Sequence, residues 1–290
     1  AVLFLPSAAI LSQWFARRRA LALGVQSVGS PIAGIVLPII FGRLEPVIGF
    51  GWTTRVIAFI LLGLSIPPIV FLKPRVPRSA QRRAFFDSTF FQDLPILLFT
   101  AAAFFSFIGV YVPFFYLQLY SISFRLSSDE FSPYFVTLLN AGSIFGRLIP
   151  NYLAVYVEST TVLICMLVAS AALALAWLGI STFGGLVAFA LLYGAFSGGV
   201  VSMLPSAIVT YCPDLGRLGT RMGMIYTATG VSVLIGTPIG GAILSHGGES
   251  TWKGIIAYSG ATLAVSAMLF IISYWLLRRK GGKNIIEEAK

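Results

Sequence analysis

Residues 14–38, from Trp14 to Pro38, read W-F-A-R-R-R-A-L-A-L-G-V-Q-S-V-G-S-P-I-A-G-I-V-L-P, and the reading of this stretch decides the fold class. A basic triplet, Arg17, Arg18 and Arg19, opens an apolar run that contains no acid and is punctuated by Gly24, Gly29, Pro31 and Gly34. At about 1.5 Å of rise per residue, such a run continues as a helix across the hydrocarbon core of a bilayer. Gly and Pro are tolerated inside helices there, because neighbouring helices supply the hydrogen bonds that the backbone forfeits. The centre of the stretch, Gly29-Ser30-Pro31-Ile32-Ala33-Gly34, returns as Gly236-Thr237-Pro238-Ile239-Gly240-Gly241. Basic residues precede each copy, Arg17 to Arg19 in the first and Arg217 with Arg221 in the second. An aromatic start to another apolar run follows each, at Trp52 and at Trp252. The echo predicts two repeated halves in which Pro31 is equivalent to Pro238.

Composition points the same way. Hydrophobic residues make up 57% of the 290 and charged residues 10%, and the mean hydropathy is +0.90, which leaves too little polar surface to cover a soluble domain. The expected class is an all-α polytopic membrane protein. A formal charge of +10 would suggest nucleic acid in a soluble protein, but these basic residues sit in short loops between apolar runs, so the bilayer is the expected partner. Cys165 and Cys212 show no metal or disulfide spacing.

Full spans are predicted at 20–43, 52–72, 95–120, 131–153, 160–181, 184–208, 219–245 and 254–277, after a partial one ending at Phe15. The organisation expected is a first unit over 1–72, a linker over 73–94, a second unit over 95–277 and a tail over 278–290. Within the linker, Pro74 and Pro77 stop the preceding helix. Phe85, Phe86, Phe90 and Phe91 are predicted to lie on the membrane while Arg82 and Arg83 meet headgroups. Arg17 to Arg19, the 73–83 basic residues, Arg217, Arg221 and the C-terminal Lys and Arg fall on one side. Only Arg43, Arg55, Arg125 and Lys253 fall on the other, so the first side and the C-terminus are predicted cytoplasmic.

Chemistry is sparse. The carboxylates, from Glu45 to Glu288, lie at helix ends, in loops or in the tail, and the single histidine, His246, lies in a loop. Intramembrane hydrolysis or metal chemistry needs clustered acids or histidines on facing helices, so no enzyme, metal or cofactor is expected. One charge lies deep, Arg147. It either faces a cavity with Asn140 and Ser143, which share its helix face, or snorkels to headgroups. Tyr193 and Ser197, with Gly194 and Gly198, form a second one-face pattern that reads as cavity lining or as small-residue packing. Gly29, Pro31, Gly34, Gly236, Pro238 and Gly241 are expected at close helix contacts and bends. With Arg17, Arg18 and Arg19 they are the candidate conformational positions.

The run from Phe15 to Gly34 resembles the signature that opens the fifth helix of the monocarboxylate transporter family of the major facilitator superfamily, above all in its fungal members. The run F-Q-D-L-P-I-L-L-F, Phe91 to Phe99, leading into Tyr111-Val-Pro-Phe-Phe-Tyr116, is similar to their entry into the seventh helix. The resemblance implies a major facilitator fold in which the partial span ends helix four and the full spans are helices five to twelve. It implies alternating access about a midplane site, secondary-active or facilitative, for a monocarboxylate-like small organic anion. The plasma membrane is the expected location, with a vacuolar or other organelle membrane as the alternative. In that family an eighth-helix Arg faces the substrate carboxylate, with an Asp one turn before it. Arg147 matches the Arg, whereas Ser143 stands at the Asp position, a departure that bears on proton symport. The family's first-helix Lys has no counterpart in this chain, and Ala154 to Glu158 replaces the superfamily's Asp-containing loop. The competing expectation is a membrane sensor or decayed paralogue that transports nothing.

Overall fold

The computed structural model describes residues 7, 10–11, 14–15, 18–73, 86–212, 215–245 and 247–288. These residues form helices and no strand: α1 (Arg19–Ser27), α2 (Gly29–Phe71), a 3-10 turn (Ser88–Gln92), α3 (Leu94–Val110), α4 (Val112–Ser123), α5 (Tyr134–Leu153), α6 (Ser159–Ala176), a 3-10 turn (Trp177–Gly179), α7 (Phe183–Thr210), α8 (Leu215–Leu244) and α9 (Glu249–Glu288).

A straight helix as long as α2, 43 residues, would run about 65 Å, twice the bilayer core. It reverses instead at Gly49, where φ is 74° and ψ 165°, backbone that a side chain would forbid. The returning limb comes back beside the start of the chain. The Trp14 indole Nε1 donates to the Lys73 carbonyl at 3.0 Å, across 59 positions. The expected gap between the first two spans, 43 to 52, contains this reversal.

Among the described residues six helical stretches are long and apolar enough to cross a membrane, the first being Arg19–Phe71. α5 is not one of the six; Asn140, Ser143, Arg147 and Asn151 run along it. It is held by protein instead. Gly142 and Gly146 on α5 interleave with Gly194 and Gly198 on α7 so closely that a methyl group on any of the four would meet the other helix's backbone or, at Gly198, Ser143. Such small-residue seams give membrane helices the dispersion contact that the hydrophobic effect no longer provides.

The core lies among α3, α5, α6, α7, α8 and α9, with Phe99, Phe135, Phe189, Tyr193 and Phe270 almost fully covered. α1 and the near limb of α2 meet this body chiefly where Gly24 backs onto Asn151 and the Arg147 carbonyl, and Gly34 onto the Asn140 side chain.

One expectation about the polar segments is corrected. Phe90 does not lie on the membrane; it is 3% exposed and packs into the core, while Phe86 and Phe91 remain exposed. The reason is the Asp87 cap, whose Oδ1 accepts from the Thr89 backbone N–H at 3.1 Å and starts a turn that points the next ring inward. The expected tail at 278–290 is helical as far as Glu288, because no proline intervenes. Its first basic residues also stack one turn back, Arg279 3.8 Å from the Trp275 ring centroid and Arg278 5.0 Å from that of Tyr274. Arg82, Arg83, Phe85, Pro74 and Pro77 lie outside the described residues.

Candidate functional site

Between the first unit and the body lies a cavity of about 1120 Å³. Its walls come from both sides. Gln26, Ser27, Gly29 and Ser30 face it from the α1–α2 junction, and Leu61, Leu64, Ser65, Pro68, Ile69 and Leu72 from the returning limb. Phe107 and Tyr111 face it at the end of α3, with Arg147 of α5, Val201 of α7 and Tyr226 of α8. Most of this surface is aliphatic or aromatic, and the polar groups are few.

Arg147 is the cation on that wall. It lies about 20 Å along α5 from Tyr134. Its side chain turns back toward the start of the helix, as helical side chains do. Nε donates to Ser143 Oγ at 3.2 Å, and Nη1 donates to the Ser27 carbonyl at 2.7 Å. That direction leads away from the basic end of the bundle, so the guanidinium does not snorkel. A guanidinium has five N–H donors. Those not engaged by Ser143 and Ser27 have no protein acceptor among the described residues. Gln26 Nε2 donates to Ser7 Oγ at 2.5 Å, and its Oε1 is buried without a hydrogen-bond partner among the described residues. One cation and long apolar walls form a surface suited to an amphipathic anion.

The other sequence-predicted positions fall around this wall rather than on it. Ser143 is 2% exposed, accepts from Arg147 and is wedged against Gly198. Asn140 Nδ2 donates to the Val136 carbonyl of its own helix at 2.9 Å, under Gly34. Tyr193 and Ser197, for which cavity lining was one reading, are taken up by packing. The Tyr193 hydroxyl donates to the Val110 carbonyl at 3.1 Å and its ring stacks on Phe189, while Ser197 Oγ donates to the Tyr193 carbonyl at 2.6 Å.

Among the conformational candidates, Gly29 lines the cavity and Pro31 is buried, whereas Pro238 is exposed. Gly236 backs onto Ile108, and Gly241 approaches the Tyr116 hydroxyl. Arg18 is exposed and Arg19 half-buried; Arg17 and His246 lie outside the described residues. Sequence reasoning missed Gln26 and Tyr226. The signal was a polar residue inside an apolar run with no capping role.

Residues 1–159 and 141–290 match the Major Facilitator Superfamily. The chain belongs to that superfamily. It is an integral, multi-pass membrane protein, and superfamily relatives of the same kind recur among fungi. It is 36% identical over 271 residues to the MFS-type transporter dbaD of Emericella nidulans, covering 93% of this chain and 61% of that one. Over 272 residues it is 34% identical to the Agnestins efflux protein AgnL12 of Paecilomyces divaricatus, covering 92% and 62%. Over 273 residues it is 31% identical to the Aspyridones efflux protein apdF of Emericella nidulans, covering 92% and 55%. The chain thus spans less than two thirds of the length of each. Among solved structures the superfamily transporter FucP, in its outward conformation, superposes with a TM-score of 0.70 at 16% identity, over 93% of this chain and 72% of that one.

Proposed function

We propose that the protein carries an amphipathic organic anion across the membrane by alternating access, with Arg147 as the counter-charge for its carboxylate. The observation that carries this reading is the Arg147 guanidinium on the wall of a cavity bounded by both units, with donors left over after Ser143 and Ser27 are served. A charge at that depth costs roughly 2.5–3.5 kcal/mol unless it faces water or a partner, so its retention calls for a function. The eighth-helix Arg of the monocarboxylate transporters, which Arg147 resembles, supports the carboxylate.

The size and apolarity of the cavity favour a substrate larger than a simple monocarboxylate, since pockets of about 300–1,000 Å³ suit drug-sized ligands. The names of the fungal relatives, efflux proteins for aspyridones and agnestins, support export of such a molecule. No carboxylate lines the cavity among the described residues, and Ser143 stands where the family has Asp. Proton symport through this wall is therefore not part of the proposal; export down the substrate's own gradient needs none.

The test is transport of 1-naphthoate by the intact gene product in proteoliposomes, with and without a proton gradient. Arg147→Gln should abolish naphthoate flux while leaving insertion and monodispersity unchanged. Arg147→Lys should rescue it only in part, because an ammonium cannot present two parallel donors to a carboxylate. Full activity in Arg147→Gln would overturn the reading.

A further inference from the structure

The Arg147 acceptor on α1 has an unusual origin. In a continuous helix the Ser27 carbonyl would accept from the N–H four residues on, but that residue is Pro31, which has none. The guanidinium takes the place of the missing donor at 2.7 Å. The same exchange occurs once more within the body. Pro113 leaves the Gly109 carbonyl without its N–H, and Ser259 Oγ of α9 donates to it at 2.9 Å. In that case a hydroxyl fills the gap, and both partners belong to the body. At Ser27 the donor is the cavity's cation, and the bond joins the first unit to α5.

We infer that Pro31 is a positioning residue: the carbonyl it frees at Ser27 is an internal competitor for Arg147, which a substrate carboxylate displaces, so that binding loosens the contact between α1 and α5. A carbonyl dipole is a weaker acceptor than a carboxylate for a guanidinium that is shielded from water, so the exchange runs toward the substrate. In the empty carrier this bond occupies one of the guanidinium's donors. Because the bond crosses between the two units, losing it shifts their equilibrium by the same free energy that the anion supplies. The inference rests on the reading of Arg147 as the carboxylate ligand.

Pro31→Ala restores an N–H to the Ser27 carbonyl and releases the guanidinium. In the intact gene product, binding of 1-naphthoate should tighten by about fivefold or more, on the scale of a hydrogen bond to a charged group. Binding of the neutral 1-naphthamide should not change. Pro238→Ala, which frees no guanidinium, should alter neither. Should Pro31→Ala fail to fold, the double variant Pro31→Ala/Ile32→Pro keeps a proline in the helix but frees the Val28 carbonyl, which now accepts from Ile32; the same charge-selective tightening is expected.

Spin labels at Arg18→Cys and Tyr156→Cys, both exposed, should report a distance distribution in naphthoate-free Pro31→Ala displaced toward that of the naphthoate-bound parent. Equal effects on naphthoate and naphthamide, or none on either, would overturn the inference while leaving Arg147 as ligand. Unchanged naphthoate binding in Arg147→Gln would instead remove the reading beneath it.

Discussion

Arg221 Nε lies 2.9 Å from Asp87 Oδ2, joining the segment before α3 to the first turns of α8 at the basic end of the bundle. Around this pair Arg217 donates to Thr89 Oγ1 at 3.1 Å, and Asp93 meets Lys280 of α9 at 3.2 Å. Three elements far apart in sequence are thereby tied at one end, and the Asp87 side chain is only 9% exposed.

The Thr89 hydroxyl, together with Arg221, holds the Asp87 carboxyl below its ordinary value of 3.8. A carboxylate depressed in the folded state contributes stability above its unfolded value and loses it as the pH falls through the native one. Thermal unfolding in detergent should therefore show no contribution from Asp87 to any change between pH 8 and 5. Asp87→Asn should cost about 1–2 kcal/mol there, less than a fully buried pair because the cluster sits at the aqueous end. Below the ordinary carboxylate value the two proteins should converge. A constant difference down to pH 3 would show that Asn disturbs packing rather than charge.

Glycine substitutions should separate seam from surface. At Gly146 a methyl group would drive into the Ala195 carbonyl, and backbone cannot swing aside as a flexible side chain can. Gly146→Ala should therefore lose about 1–3 kcal/mol through overpacking. At Gly223 of α8 an added Cβ meets nothing within 4 Å, so Gly223→Ala should be neutral or gain up to about 1 kcal/mol of helix propensity. Melting temperatures of the two variants in one detergent decide it; equal losses would mean that α5 and α7 are less closely apposed than described.

The fold was legible because its signals are compositional. Twenty-residue apolar runs and a loop charge bias survive any detail of packing, and the reversal at Gly49 falls inside the expected gap. Arg147 was legible for the related reason that a charge stands out against apolar neighbours. Tyr193 and Ser197 were not, because a one-face pattern on a membrane helix looks alike whether that face meets a cavity or another helix. Only the Val110 carbonyl, 83 positions away, distinguishes the two. Phe90 was misjudged because an aromatic beside basic residues suits either a headgroup layer or a core, and the Asp87 cap that decides it depends on Arg221 across the fold. The Ser27–Arg147 bond needed coordinates too, although Pro31 alone marked which carbonyl would be free.

Cavity size should set what the protein carries. Leu64 lines the cavity from the returning limb of α2 and is largely exposed, so enlarging its side chain disturbs no core contact. Leu64→Trp would fill part of the apolar wall opposite Arg147 while leaving the guanidinium and Gln26 untouched. A small monocarboxylate such as propionate needs only the charged end and should be transported as before. Naphthoate needs the wall as well, and its apparent affinity should fall by about tenfold or more, since steric exclusion discriminates by what no longer fits. The measurement is competition of unlabelled propionate and naphthoate against labelled naphthoate in proteoliposomes of parent and variant. An equal loss for both acids would place Leu64 in the movement of the two units rather than in recognition. No loss for either would mean that substrates do not pass through this cavity at all. Only a selective loss of the bulky acid agrees with an apolar wall that reads the body of the molecule while Arg147 reads its charge.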